Sequence, residues 1–217
     1  MKTHFRSGCI LNRSTSSTRN VTVSYREIIV PNQRPDRPEY FMNIAIAVRE
    51  RADCLGQKVG ALIVLSNRIM ATGYNGTPAG MRNCGEGGCV RCSNRDKKYL
   101  SGTGYDLCIC VHAEQNAILA AARFGVSIQG ATIYTTVQPC FGCLKEMLQA
   151  GIEEVFYLHP WRSAKDTDPD QQAQYEILAS RLPKGIRQLV IADARAEWAR
   201  GGAPVSQSFD RHGMESQ

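Results

Sequence analysis

The sequence predicts an α/β protein built on one five-stranded mixed sheet with helices on both faces. Three observations carry that prediction. Two apolar runs, GALIVL (60–65) and IMATG (69–73), are separated by Ser66-Asn67-Arg68, as in a β-hairpin. Beyond them, helical and strand periodicities alternate, which places parallel strands and crossover helices in one sheet. The chain length, 217 residues with 43% apolar and 21% charged, suits one domain with extensions. Wholesale disorder is excluded, and no apolar run approaches the roughly 20 residues of a spanning helix.

Residues 1–37 read as an irregular basic arm with a short strand around 21–30, closed by Pro31, Pro35 and Pro38. Residues 1–38 hold seven Lys/Arg and two Asp/Glu, a net +5, whereas 39–217 hold nineteen and eighteen, a net +1. The body therefore lacks the excess of positive charge expected of a surface for long nucleic acids. Residues 1–20 are rich in Ser, Thr and Arg and free of acids, which fits a targeting segment or, more simply, a disordered arm or a misassigned start.

The core is expected over 38–163. Residues 39–52 read as a helix, with Phe41, Ile44, Ala45 and Val48 on its apolar face. After the hairpin, 75–110 is rich in Gly and Cys with little periodicity, and its 82–110 part reads as an insertion stapled internally. A helix over 111–123 stops at Gly125, a strand covers 131–136, and a helix with Pro139 in its first turn runs to Ala150 and Gly151. A strand follows at 152–158. Residues 164–200 form an extension of helix (170–181), strand (187–192) and helix (194–200), packed on the core, before a polar tail at 201–217.

The chemistry concentrates in His112-Ala113-Glu114 and Pro139-Cys140-Phe141-Gly142-Cys143. Cys140 and Cys143, three apart, share one helical face. With His112 they make three metal ligands, and a fourth tetrahedral position is left for water, as in a catalytic zinc site. Both segments fall at helix N-termini, whose dipoles favour thiolates. In mid-helix Glu114 would lie about 200° around the axis from His112, so it reads as a proton carrier rather than a fourth ligand.

The His-x-Glu and Pro-Cys-x-x-Cys pair is the signature of the zinc nucleobase deaminases. Within that superfamily, residues 40–161 resemble the deoxycytidylate (dCMP) deaminases. The resemblance rests on Lys58-Val59-Gly60-Ala61, Gly73-Tyr74-Asn75-Gly76-Thr77-Pro78, Val111-His112-Ala113-Glu114-Gln115-Asn116-Ala117 and GATIYTTVQPCFGC (130–143). It implies a three-layer α/β/α sandwich of cytidine deaminase type and hydrolysis of dCMP to dUMP and ammonia, a step in dTTP precursor supply. It implies catalytic Zn2+ on His112, Cys140 and Cys143, with Glu114 as the acid–base residue. Asn75 would bond the deoxyribose, and the backbone around Val59 and Ala61 would read the pyrimidine edge. Trp161 would either stack on the base or pack the core.

The same resemblance implies a cytoplasmic homo-oligomer, a hexamer or dimer. It also implies activation by dCTP with Mg2+ and inhibition by dTTP, with the nucleotide on the loop of Gly73, Tyr74, Asn75 and Gly76. Gly73, Gly76 and Gly80 would serve that loop by close backbone approach and positive φ, although an Asn-Gly hairpin exit is the plainer reading of the residues alone.

Nine cysteines in a chain without a secretory h-region point to metal rather than disulfides. By resemblance, Cys54 and Cys84 match ligands of a second, structural zinc. The histidines that relatives supply from the insertion are absent, and cysteines stand there instead. The expected set is Cys54, Cys84, Cys89 and Cys92, with Cys108 or Cys110 as substitutes. Cys9 reads as an arm thiol, His159 as a packing residue, and His4 and His212 as tail residues. The competing functions are a tRNA adenosine, guanine, riboflavin-pathway or single-stranded DNA deaminase, and a zinc-stapled nucleic-acid-binding module. The near-neutral body opposes the nucleic-acid readings, and Glu114 opposes a purely structural site.

Overall fold

A computed structural model describes residues 34–95, 97–99, 104–160 and 169–200. The expected strand at 21–30, Cys9, His4, Trp161, His212 and the tail at 201–217 lie outside them. Helix α1 spans Arg37–Arg49. Its N-cap Asp36 accepts a hydrogen bond from the Glu39 amide at 2.8 Å, and Pro38 sits in the first turn, where a missing N–H costs nothing. Strands β1 (Gly60–Leu65) and β2 (Arg68–Tyr74) form the expected hairpin. Its two turn residues, Ser66 and Asn67, both have positive φ (49° and 61°), which matches the twist of the strands.

The Cys-rich segment is less irregular than expected. It holds 3-10 turns at Cys84–Glu86 and Tyr105–Leu107 and the short helix α2 (Val90–Ser93). Then come α3 (Ala113–Arg123), β3 (Thr132–Val137), α4 (Phe141–Gln149), β4 (Glu154–His159), α5 (Pro169–Ala179), β5 (Gly185–Gln188) and α6 (Ala196–Ala199). Gly125 and Gly151 follow α3 and α4 in left-handed conformation (φ 65° and 76°), as helix-stopping glycines do.

The sheet order is β2-β1-β3-β4-β5. β1 is antiparallel to β2 and β3, and β3, β4 and β5 are mutually parallel. Strand alternation sorts the core into two layers. Leu62, Tyr134 and Phe156 meet Phe41, Met42 and Ala45 of α1 on one face. Ala61, Ile63, Ile133 and Val155 meet Ala113 and Ala117 of α3 and Leu144 and Met147 of α4 on the other. The three layers are helix, sheet and helix, as the sequence predicts. Among the described residues no helix is long and apolar enough to cross a membrane.

Three expectations are corrected. The last strand lies at 185–188 rather than 187–192. Parallel pairing to Glu154–Tyr157 starts at Gly185 and ends with the Leu189 amide donating to the Tyr157 carbonyl at 2.8 Å, beyond which Val190 is 93% exposed. On α1, Phe41 and Ala45 are buried and Ile44 packs beside them as expected, but Met42 and Arg49 rather than Val48 complete the buried face. Arg49 goes inside because Asp193 meets it there with two hydrogen bonds of 2.8 Å. Finally, α3 and α4 start later than expected. Val111 and Pro139 precede the helices, and His112 and Cys140 are the N-caps, with extended backbones.

Candidate active site

The shift of the helix starts shapes the site. His112 caps α3 and Cys140 caps α4, while Cys143 lies one turn into α4. All three therefore gather where the positive ends of two helices converge. Gln115 holds this junction. Its Oε1 accepts from the His112 amide at 2.9 Å, and its Nε2 donates to Glu146 of α4 at 2.9 Å. Tyr175 of α5 donates from its hydroxyl to the Pro139 carbonyl at 3.0 Å, bracing the turn that presents Cys140.

His112 Nδ1 stands 3.5 Å from Cys140 Sγ and 3.3 Å from Cys143 Sγ. In a zinc tetrahedron with ordinary Zn–N and Zn–S bonds, the N···S edge is ~3.6 Å. The donor set and its spacing therefore suit zinc. The three donor atoms lie within 4.8 Å of one another, and Glu114 stands outside that group. The Cys140 thiol is held down at about 4, first by a hydrogen bond from Cys143 and then by His112, whose imidazole is pushed up to about 9 mainly by Cys140. Such a pair exchanges its protons for a metal.

Glu114 is 4% exposed. Its Oε1 accepts from the Thr135 hydroxyl at 2.8 Å, and its Oε2 lies 3.6 Å from Cys143 Sγ. Burial pushes its carboxyl up from the ordinary value. Thr135 and Tyr175 are contributions that local sequence reasoning missed. Thr135 looks like any β-branched strand residue, and only its place on β3 beneath α3 aims it at Glu114.

A pocket opens onto this group. His112, Glu114 and Cys140 line it together with Gln57, Val59 and Asn75. The Asn75 amide is already engaged, donating to the Gln57 carbonyl at 2.8 Å and accepting from the Val59 amide at 2.8 Å. It fixes the pocket's 57–59 wall. Val59 lies at the pocket, whereas Ala61 lies within β1, paired with Gly73 and Thr135, and does not line it. Arg91 and Arg95 bring positive charge to the pocket wall. Which basic residues would do so was not legible in the sequence.

The 73–76 loop is tied to α3. Gly73 is buried so tightly beneath that helix that a Cβ there would sit 2.1 Å from the Ala113 carbonyl oxygen. Gly76 pairs with Val111 through two backbone hydrogen bonds, and the Tyr74 carbonyl accepts from Asn116 at 2.8 Å. Of the three loop glycines, only Gly80 has positive φ (83°). Gly73 serves close backbone approach, whereas a Cβ at Gly76 would meet only the Asp53 carboxylate, at 3.3 Å.

Six further cysteines gather beside the pocket. Cys54, Cys84, Cys92 and Cys110 form one group of potential ligands, and Cys89, Cys92, Cys108 and Cys110 another. Cys110, expected only as a substitute, joins the first group, and Cys89 falls in the second. Cys108 and Cys110 arrive on the segment just before α3, so their placement depends on the tertiary fold rather than on local spacing.

The sequence pattern described as the cytidine and deoxycytidylate deaminase zinc-binding region matches residues 35–159. The deoxycytidylate deaminase of Schizosaccharomyces pombe is 42% identical over 132 residues, 60% of this chain and 40% of that protein. The chain thus spans well under half of that relative's length. The deoxycytidylate deaminase of Mycobacterium phage D29 is 42% identical over 129 residues, covering 57% of this chain and 95% of the phage protein. Among solved structures, the dCMP deaminase of cyanophage S-TIM5, in complex with dCMP and dUMP, superposes with a TM-score of 0.53 at 27% identity. That match covers 72% of this chain and 99% of the phage chain.

Proposed function

The chain belongs to the cytidine and deoxycytidylate deaminase zinc-binding family, and from that premise we propose that it hydrolyses dCMP to dUMP and ammonia. The observation that carries the proposal is the placement of buried Glu114 beside, but outside, the His112, Cys140 and Cys143 group, with Glu114, His112 and Cys140 lining one pocket. His112, Cys140 and Cys143 would hold zinc, which would supply Lewis-acid activation of water at neutral pH. Glu114 accepts a proton from the attacking water and returns protons to the pyrimidine ring nitrogen and the departing amine. Thr135 holds the carboxylate in register for both transfers.

The pocket wall at Val59 and Asn75 faces the nucleoside, and Arg91 and Arg95 suit a 5′-phosphate. A second, structural zinc in the cysteine insertion belongs to the same reading, supported by the sulfur groups beside the pocket. So does regulation by dCTP with Mg2+ and by dTTP. The backbone link from Gly76 to Val111 supports it, because a nucleotide on the 73–76 loop would act directly on the His112 end of α3. Exposed Leu119 and Phe124 at the outer end of α3 support a homo-oligomer. A cytoplasmic location fits the eight described cysteines, all of them free thiols.

Ammonia release from dCMP, dCTP, cytidine, guanine and tRNA, each with and without dCTP-Mg2+ or dTTP, tests the substrate and the regulation. dCMP is expected to be the preferred substrate, with activation by dCTP-Mg2+ and inhibition by dTTP. Preference for guanine or tRNA would overturn the substrate assignment, and a response to neither nucleotide would remove the regulation.

A further inference from the structure

We propose that the cysteine insertion holds two zinc ions in one thiolate-bridged cluster, with Cys92 and Cys110 as the bridging ligands. The proposal deepens the reading of a single structural zinc and rests on it. Six sulfurs from four stretches of chain converge. Cys54 follows α1, Cys84 opens a 3-10 turn, Cys89 caps α2 and Cys92 lies in it, and Cys108 and Cys110 precede α3. In each of the two groups all four sulfurs lie within 4.8 Å of one another, and Cys92 and Cys110 are members of both. That is the arrangement of two tetrahedra sharing an edge. The first metal takes Cys54 and Cys84 as its own ligands, the second takes Cys89 and Cys108, and the shared edge serves both. In a zinc–thiolate tetrahedron the S···S edge is ~3.8 Å. Cys89 and Cys108 stand at 3.9 Å.

Local structure prepares the sites. Cys89 is the N-cap of α2 and Cys92 lies one turn later, the same relation that Cys140 and Cys143 bear to α4. Cys108 and Cys110 are alternate residues of the stretch that the Val111–Gly76 bridge anchors. No pair is closed as a disulfide.

This region has little aliphatic or aromatic packing. Its buried apolar cluster is Cys54, Cys84, Cys89, Cys92 and Cys110, joined by Cys108 and Ile109, so Ile109 is its one aliphatic side chain. Bonds to a metal are what such a core needs. A single zinc would use one quartet and leave two further thiols packed against it. Four thiolates on one zinc and six on two carry the same formal charge. The second ion therefore adds no net charge to a buried site and turns those two thiols into ligands. A [2Fe–2S] centre is a poorer fit, because it takes four cysteines and bridges its metals with inorganic sulfide, whereas here the shared positions are protein sulfurs.

The cluster has a consequence for the pocket. Cys54, Cys108 and Cys110 line it, and Arg91 sits between Cys89 and Cys92 on α2. The bridged ions would thus fix the pocket wall that carries Arg91 and the approach to His112.

Metal analysis of the full chain as purified, followed by cadmium-113 exchange and NMR, tests this. Three zinc ions per chain are expected, one per ligand group. The Cys89→Ser/Cys108→Ser variant should lose one ion and keep the other two. In the wild-type chain two thiolate-shifted cadmium signals should couple to each other through the bridging sulfurs. Two zinc ions per chain with uncoupled signals would overturn the cluster and leave the single structural zinc standing. One zinc per chain would remove both readings. A visibly absorbing iron centre would also overturn the proposal. The wild-type NMR readout holds even if the double variant fails to fold.

Discussion

Glu114→Gln is expected to lower kcat by roughly 10²–10⁴-fold, the usual worth of a positioned acid–base group, while zinc content stays unchanged. The side chain is 4% exposed and touches Thr135 at 2.8 Å, and an amide of the same shape can keep that contact. What it cannot do is take a proton from water and hand it on. Glu114 also stands outside the His112, Cys140 and Cys143 group, so its loss should not release the metal. Steady-state ammonia release with parallel elemental analysis checks both halves. Undiminished turnover would remove Glu114 from the mechanism, and loss of zinc would make it a ligand.

Asp193→Ala should cost about 3–5 kcal/mol of stability, because it leaves the Arg49 guanidinium charged and unpaired in the core. The Arg49 and Asp193 side chains are 1% and 2% exposed, and two hydrogen bonds of 2.8 Å join them. His159, read from sequence as a packing residue, adds a third contact to the same carboxylate at 2.7 Å. The network ties α1 and the end of β4 to the segment after β5. Urea unfolding measures the loss, and the Arg49→Met/Asp193→Ala double variant should recover much of it, because no buried charge is then stranded.

The pair also sets an acid limit. Arg49 first, and then His159, hold the Asp193 carboxyl below its ordinary value against the opposing effect of burial. A depressed folded value means that the contribution is complete above the unfolded value of ~3.9 and is lost as pH falls below it toward the folded value. Below about pH 4 the wild type should therefore lose stability more steeply than the double variant. Parallel slopes would show that this carboxylate carries no linkage.

Local pattern made much of the architecture legible. The hairpin turn at Ser66-Asn67, the helix stops at Gly125 and Gly151 and the apolar run of β1 are all written in neighbouring residues. So is the metal motif, because Cys140 and Cys143 share one helical turn and Glu114 follows His112 by two positions. What was not legible depends on partners far away in the chain. Nothing in the neighbouring residues marks Arg49 for burial, and only Asp193, 144 residues on, explains it. Thr135 resembled any sheet residue until β3 passed beneath α3. The division of the six cysteines was hidden for the same reason, since spacing groups Cys89 with Cys92 but cannot show Cys110 reaching the group of Cys54 and Cys84. The last strand was displaced because apolar content marked 187–192, whereas register with β4 begins at Gly185.

Anomalous diffraction at the zinc edge, from crystals of the purified chain, tests the central claim most directly. A peak bonded to His112 Nδ1, Cys140 Sγ and Cys143 Sγ is expected, with no fourth protein ligand and the Glu114 carboxylate beside the remaining corner. A fourth protein atom bonded to that zinc, or no peak among those three donors, would contradict it.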